Sequence, residues 1–158
     1  MASDFTQAPY THASIGLDGP RSPFYSFGRI YPRLLLPAGL VAERVDSRRQ
    51  AIPCRLYKLR VSEEAYLRLR RRLSGMYARR QVYGYNILGV LACFLNLSLR
   101  RDRHYFCSQF VAELLQECAA MDLPKPPTLL RPVDFCGMEG LVMVYQGPLE
   151  GILSQPAA

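Results

Sequence analysis

Cys107 and two histidines, His12 and His104, are the residues of this chain best suited to nucleophilic chemistry. The cysteine stands in the phrase Tyr105-Phe106-Cys107-Ser108-Gln109-Phe110-Val111-Ala112-Glu113-Leu114-Leu115. Phe110, Val111, Leu114, Leu115 and Cys118 recur at helical spacing, while Ser108, Gln109, Glu113, Gln116 and Glu117 are expected to fill the polar side. Cys107 lies three and four residues before Phe110 and Val111, which puts it on the core-facing stripe in the first turn. A thiol at that place meets the positive end of the helix dipole and free backbone N–H groups, and both favour the nucleophilic thiolate. Most free cysteines act as small buried hydrophobes, and Cys54, Cys93, Cys118 and Cys136 read that way. An activated thiol also needs a base. His12 falls in Tyr-Thr-His-Ala-Ser-Ile-Gly-Leu-Asp over 10–18, which alternates like a half-buried strand. His104, three residues before Cys107, falls on the incoming loop, where pairing would need an unusual turn.

The elements that must hold these residues are legible in outline. Asp18-Gly19-Pro20 signals a turn, and Phe24–Ile30 reads as the hairpin partner of the histidine strand. Pro32, Pro37 and Gly39 punctuate the next stretch, with a short strand expected around Val41–Val45. Cys54–Val61 alternates apolar and basic residues and reads as a strand. Ser62-Glu63-Glu64 starts a helix, whose apolar stripe is Tyr66, Leu69, Leu73, Met76 and Tyr77, ending near Arg80. Tyr85–Leu95 is expected as a second, buried helix and Cys107–Met121 as the third. The proline-rich Leu123–Pro132 must be loop, and Asp134–Gly140 a turn. Leu141–Gln146 reads as a buried strand closed by Gly147-Pro148. Strands, then helices, then a strand give an α+β domain rather than alternating βαβ units.

Composition bounds the reading. With 158 residues, 49% of them hydrophobic, the chain is expected to form one domain over 1–158. Five cysteines, with no C-x-x-C pair and no histidine near enough for a zinc spacing, argue against a disulfide framework or a structural metal, and no cofactor is expected. A reducing compartment, and so the cytoplasm, is expected. Met1–Tyr10 carries Asp4 and no apolar core of a signal peptide. The longest apolar run, Ile87–Leu99, is shorter than the ~20 residues that span a bilayer, so no transmembrane segment is expected. The net charge of +7 rests on eighteen arginines and two lysines. Arg68, Arg70, Arg71, Arg72, Arg79 and Arg80 cluster on the first helix, and Arg100, Arg101 and Arg103 follow the second. A solvated face accounts for the first cluster; an anionic partner is the sharper reading. No nucleic-acid motif accompanies the charge, so no specific nucleic-acid partner is expected.

Three phrases resemble the circularly permuted, NlpC-like papain-fold cysteine hydrolases. They are Thr11-His12-Ala13-Ser14-Ile15, Tyr25-Ser26-Phe27-Gly28-Arg29 and Tyr105-Phe106-Cys107-Ser108-Gln109-Phe110-Val111-Ala112-Glu113. The loop into Pro132-Val133-Asp134-Phe135 and the end of the closing strand at Tyr145-Gln146-Gly147 fit as well, so the resemblance runs from about Tyr10 to Gly147. It implies a permuted papain-like fold: an antiparallel sheet packed against three helices, with the nucleophile at a helix N-terminus. Cys107 would be that nucleophile and His12 the base, the histidine preceding the cysteine because permutation puts the sheet first. Chemistry needs only adjacency in space.

The third member of such a triad is left open by the residues. With a turn about Gly19–Ser22, positions 26 and 28 face the same side as His12, which makes Ser26 one candidate orienter. Glu43 on the next segment is the other. The oxyanion hole would use the backbone N–H of Cys107 and one further donor. The implied activity is that of a thiol protease or amidase, with a peptide-like or acyl-amide substrate cleaved through an acyl-thioester. An acyltransferase is a variant of it, and a non-catalytic binding module using the arginine face is the alternative. Family members commonly begin with another strand and helix, and only about ten residues precede the histidine here. Either the start is shortened or a sheet edge is left open, and an open edge would invite a homodimer.

Overall fold

The computed structural model describes residues 10–29, 38–45 and 52–155. The N-terminal residues 1–9, Ile30, Pro32 and Pro37 lie outside these. In chain order the elements are β1 (Phe24–Arg29), β2 (Ala38–Glu43), β3 (Pro53–Leu59), α1 (Glu63–Ala78), β4 (Gly84–Tyr85), α2 (Ile87–Phe94), β5 (His104–Tyr105), α3 (Cys107–Glu117) and β6 (Leu141–Pro148). Short 3-10 turns cover Arg80–Val82, Pro127–Leu129, Pro132–Phe135 and Leu149–Ser154. The class is mixed α+β, as the order of patterns implied.

Local signals account for the helix starts. The Ser62 hydroxyl accepts from the Ala65 N–H at 3.1 Å, and Glu63 and Glu64 follow in the first turn of α1. Asn86 caps α2 by accepting from the Gly89 N–H at 2.9 Å. At α3 the Gln109 side-chain oxygen accepts from the Phe106 N–H at 3.4 Å, the half of a capping box that reaches back. Helix α1 lays Ala65, Leu69, Leu73 and Met76 inward. Leu69, Leu73 and Met76 join Phe27 and Leu40 of the β1–β2 pair, Phe110, Leu114 and Leu115 of α3, and Leu130 in one core. Within it Phe27, Tyr105 and Phe110 pack ring to ring at 5.1 to 6.3 Å between centroids.

Several expectations fail in instructive ways. The described strands form three separate two-stranded sheets, β1–β2, β3–β6 and β4–β5, and not one antiparallel sheet; β4–β5 is parallel. Residues 10–18 form no regular strand. Strand β1 spends its full ladder on β2, and the histidine segment touches its other edge only where Ile15 and Tyr25 exchange hydrogen bonds of 3.0 and 2.8 Å. Helix α2 is not buried: Ile87, Leu88, Leu91 and Phe94 are exposed. Strand β6 is not buried either: Val142, Met143 and Val144 are all exposed, so both faces of the two-stranded β3–β6 ribbon reach solvent there. Conversely, Ser108, Gln109 and Glu113 on the supposed polar side of α3 are buried, because the helix runs through the middle of the core. Helix α3 stops at Glu117, short of Met121, where Ala119 takes a left-handed φ of 52°.

Candidate active site

Strand β1 pairs with β2 so that Phe24 faces Glu43, Ser26 faces Val41 and Gly28 faces Gly39. Cross-strand partners share a face, so Ser26, Gly28 and Glu43 look the same way. His12 lies against that face. A Cβ built on Gly28 would stand 3.6 Å from His12 Cε1, 3.9 Å from Ser26 Oγ and 4.0 Å from Glu43 Oε1, all ordinary contacts. Gly28 is therefore the floor on which the imidazole and the carboxylate meet. His12 Nε2 is 3.3 Å from Glu43 Oε2. The ring also interacts with the Cys107 side chain, and the backbone agrees, since Cys107 Sγ is 4.0 Å from the carbonyl oxygen of neighbouring Thr11.

Electrostatics favour a charged imidazole here. Burial alone would lower the His12 pKa. Hydrogen bonds to Cys107 and Glu43 and the negative charge on both outweigh it, raising the pKa from 6.5 to about 10. Burial pushes the thiols of Cys54, Cys93 and Cys118 up, away from the thiolate. All five cysteines are free.

Cys107 is the first residue of α3, and a buried polar network holds that end of the helix. The Ser108 hydroxyl donates to the Leu130 carbonyl at 2.7 Å. Gln109, with no exposed surface, accepts from the Phe106 N–H and from Asn86 Nδ2, both at 3.4 Å, and donates to Glu113 Oε1 at 3.1 Å. Asn86 Nδ2 also donates to the Leu99 carbonyl at 3.2 Å. Glu113 Oε2, otherwise without a hydrogen bond, faces Arg100 Nη2 at 3.5 Å. Burial pushes the Glu113 carboxyl up, while Gln109 and Arg100 hold it down. Neither Gln109 nor Asn86 stood out in the sequence, where Gln109 fell on a polar stripe and Asn86 inside the expected helix Tyr85–Leu95.

The other candidates separate cleanly. Ser26 is wholly buried and its hydroxyl finds no hydrogen-bond partner, so it does not hold His12. His104 is turned away: its Nδ1 is 2.7 Å from the Asp102 carbonyl oxygen, and its ring lies over Gly84 in the β4–β5 pair. Tyr85 was missed. It lines the same cleft as Cys107, and burial together with the Cys107 charge pushes its hydroxyl up to about 12. That keeps it a proton donor. The only signal was its place at the head of the Tyr85–Leu95 run, which read as helix.

Cys107, His12 and Glu43 open onto a cleft of about 1500 Å³, whose walls include Leu59, Leu69, Val111 and Phe135. Among the described residues no group of three or more His, Cys, Asp or Glu is placed to hold a metal ion, and no helix is long and apolar enough to cross a membrane. The arginine face of α1 is partly neutralised from within. Arg68 bonds Glu64 and the Cys118 carbonyl, and Arg72 Nε donates to Glu117 Oε2 at 3.1 Å. No family model, no curated protein and no solved structure matches the chain.

Proposed function

We propose that the chain is a papain-like cysteine hydrolase of the permuted, NlpC-like kind, cleaving an amide or ester through an acyl-thioester on Cys107. The observation that carries this reading is that Cys107, His12 and Glu43 line one large cleft, with His12 Nε2 3.3 Å from Glu43 Oε2 and Cys107 Sγ 4.0 Å from the carbonyl oxygen of Thr11, the residue before His12. Thiol, imidazole and carboxylate in that order are the parts nucleophilic catalysis needs. In the reaction the Cys107 thiolate adds to the substrate carbonyl, and the oxygen becomes an oxyanion. The Cys107 N–H, which no helical carbonyl can accept from at this position, and the Tyr85 hydroxyl supply its hydrogen bonds. His12 gives its proton to the departing amine or alcohol as the C–N or C–O bond breaks. It then takes a proton from the water that cleaves the thioester. Glu43 keeps the ring oriented and favours its charged form. Transfer of the acyl group to an amine or alcohol instead of water would use the same parts.

Iodoacetamide labelling read by peptide mass spectrometry tests the proposal. Accessibility alone would make Cys54 and Cys136 react before the buried Cys107. An activated Cys107 reverses that order at neutral pH, and the reversal is lost in His12→Gln. Labelling that follows exposure would leave Cys107 a packing residue and sink the reading.

A further inference from the structure

The least explained surface of the molecule is α2 and the turn after it. Gly89 and Cys93 face inward, and the helix rests on Pro127–Leu129. The rest of Ile87–Leu99 puts Leu88, Leu91, Phe94, Leu95 and Leu97 into solvent, with Leu91 57%, Phe94 53% and Leu95 72% exposed. A continuous apolar patch of that kind marks an interaction site. No charged residue lies in 84–99. Immediately beyond come Arg100, Arg101 and Arg103, all exposed, with the loop's one acid, Asp102, beside Arg103 at 3.7 Å.

The fold sets these two features at a defined spacing. Leu99 is tied back to Asn86 by the 3.2 Å hydrogen bond, and His104 pairs with Gly84, so the arginine loop sits at the base of α2. Leu95, the C-cap, stands about 12 Å beyond the start of α2 by the rise of eight helical residues, and Leu97 follows it in the turn that leads back to Leu99. An apolar tip with a basic collar one helix length behind it matches the layering of a bilayer surface, acyl chains below and phosphates above.

We propose that the α2 hairpin is a docking element for an anionic lipid surface, inserting Leu91, Phe94, Leu95 and Leu97 among the acyl chains while Arg101 and Arg103 contact headgroup phosphates. The net charge of +7 works in the same direction at longer range. A second copy of the chain is the less suitable occupant, because at a net charge of +7 it brings no anionic complement to the basic collar. Ile87 belongs both to α2 and to the wall of the cleft, so the docked cleft opens beside the lipid.

The test uses the full chain and sedimentation with vesicles of phosphatidylcholine, alone or mixed with phosphatidylglycerol. Binding is expected only to the mixed vesicles and should fall as salt rises. Arg101→Gln with Arg103→Gln should weaken it on the order of fivefold per charge. Leu91→Glu with Phe94→Glu should abolish it. The chain has no tryptophan, so Leu95→Trp is a clean reporter whose emission should shift to the blue on binding. Unshifted emission, equal binding to both vesicles, or binding indifferent to the Glu substitutions would overturn the proposal. So would a dimer in gel filtration that the same substitutions split. Cys107→Ser should bind vesicles unchanged, which keeps this result separate from the catalytic reading.

Discussion

Helices α2 and α3 begin alike and end as opposites. Each follows a two-residue strand that closes on a tyrosine, Gly84-Tyr85 and His104-Tyr105, and these strands pair in parallel. One residue later each helix starts, capped through a side-chain amide, Asn86 for α2 and Gln109 for α3. Yet α2 is apolar in sequence and exposed, while α3 carries Ser108, Gln109 and Glu113 and is buried through its first nine residues. What separates them is the company each keeps. Helix α3 packs on α1, β1 and the Pro127–Leu129 turn; α2 packs chiefly on that turn. Burial follows position in the fold, and polar residues can enter the core where each finds a partner.

The buried network is the place to break that comparison with most effect. Gln109→Ala takes the partner from the Phe106 N–H and from Glu113 Oε1 and leaves Asn86 Nδ2 with only its bond to the Leu99 carbonyl. Unsatisfied buried groups of this kind cost about 1–3 kcal/mol each, partly offset by relaxation, so a loss of about 2–4 kcal/mol in urea unfolding is expected. Because Gln109 fixes the start of α3, Cys107 labelling should slow as well. A variant as stable as the parent would show that α3 tolerates polar groups for some reason other than this network.

The two cysteines at either end of α3 sharpen the same point. Cys118→Ser puts a hydroxyl on the core side at the C-cap and should cost about 1–3 kcal/mol. Cys107→Ser puts the same hydroxyl beside His12 and the Thr11 carbonyl, which can partner it, so melting should change less while the proposed hydrolysis should be lost. If Cys107→Ser were the more damaging to melting, the thiol would be structural.

How much of this was readable in the sequence depends on the range of the forces involved. The start of α1 at Ser62 and the inward stripe of Leu69, Leu73 and Met76 are local, and the sequence carries them. Cys107 at the first turn of α3 is local too. The pairing of β1 with β2, the exposure of α2 and the burial of Gln109 depend on distant neighbours, so periodicity pointed the wrong way. Ser26 and Glu43 show the limit most clearly. Both face His12, but only Glu43 reaches its nitrogen, and no spacing rule separates a short hydroxyl on β1 from a longer carboxylate on β2.

The His12 contacts predict a smaller, pH-dependent effect. Its folded pKa of about 10 lies above the ordinary 6.5, so the charged ring contributes stability that is fully present below 6.5 and lost as pH rises through about 10. His12 is partly exposed and solvent screens the pair, so the contribution is modest. The gap in melting temperature between the parent and His12→Gln should therefore narrow from pH 6 to above 10, and Glu43→Gln should lower the pH at which it closes. A gap that widens with pH would mean that the ring is held neutral and that Glu43 does not act on it.

The smallest effect belongs to α2. Leu88 is 54% exposed, and no partner among the described residues covers it. Leu and Gln have nearly equal helix propensities, so Leu88→Gln changes little in the backbone terms. Little apolar area is already out of water to be lost, and surface changes of this kind usually stay within about 0.5 kcal/mol. Unfolding of the isolated chain should thus be unmoved, in contrast to the Gln109 substitution one packing layer inward. Gel filtration and melting at several protein concentrations complete the check. A stability loss of 2 kcal/mol or more, roughly what burial of a leucine contributes, would mean that α2 is covered in solution. The contrast between the two helices would then be one of partners found in the chain against partners found outside it.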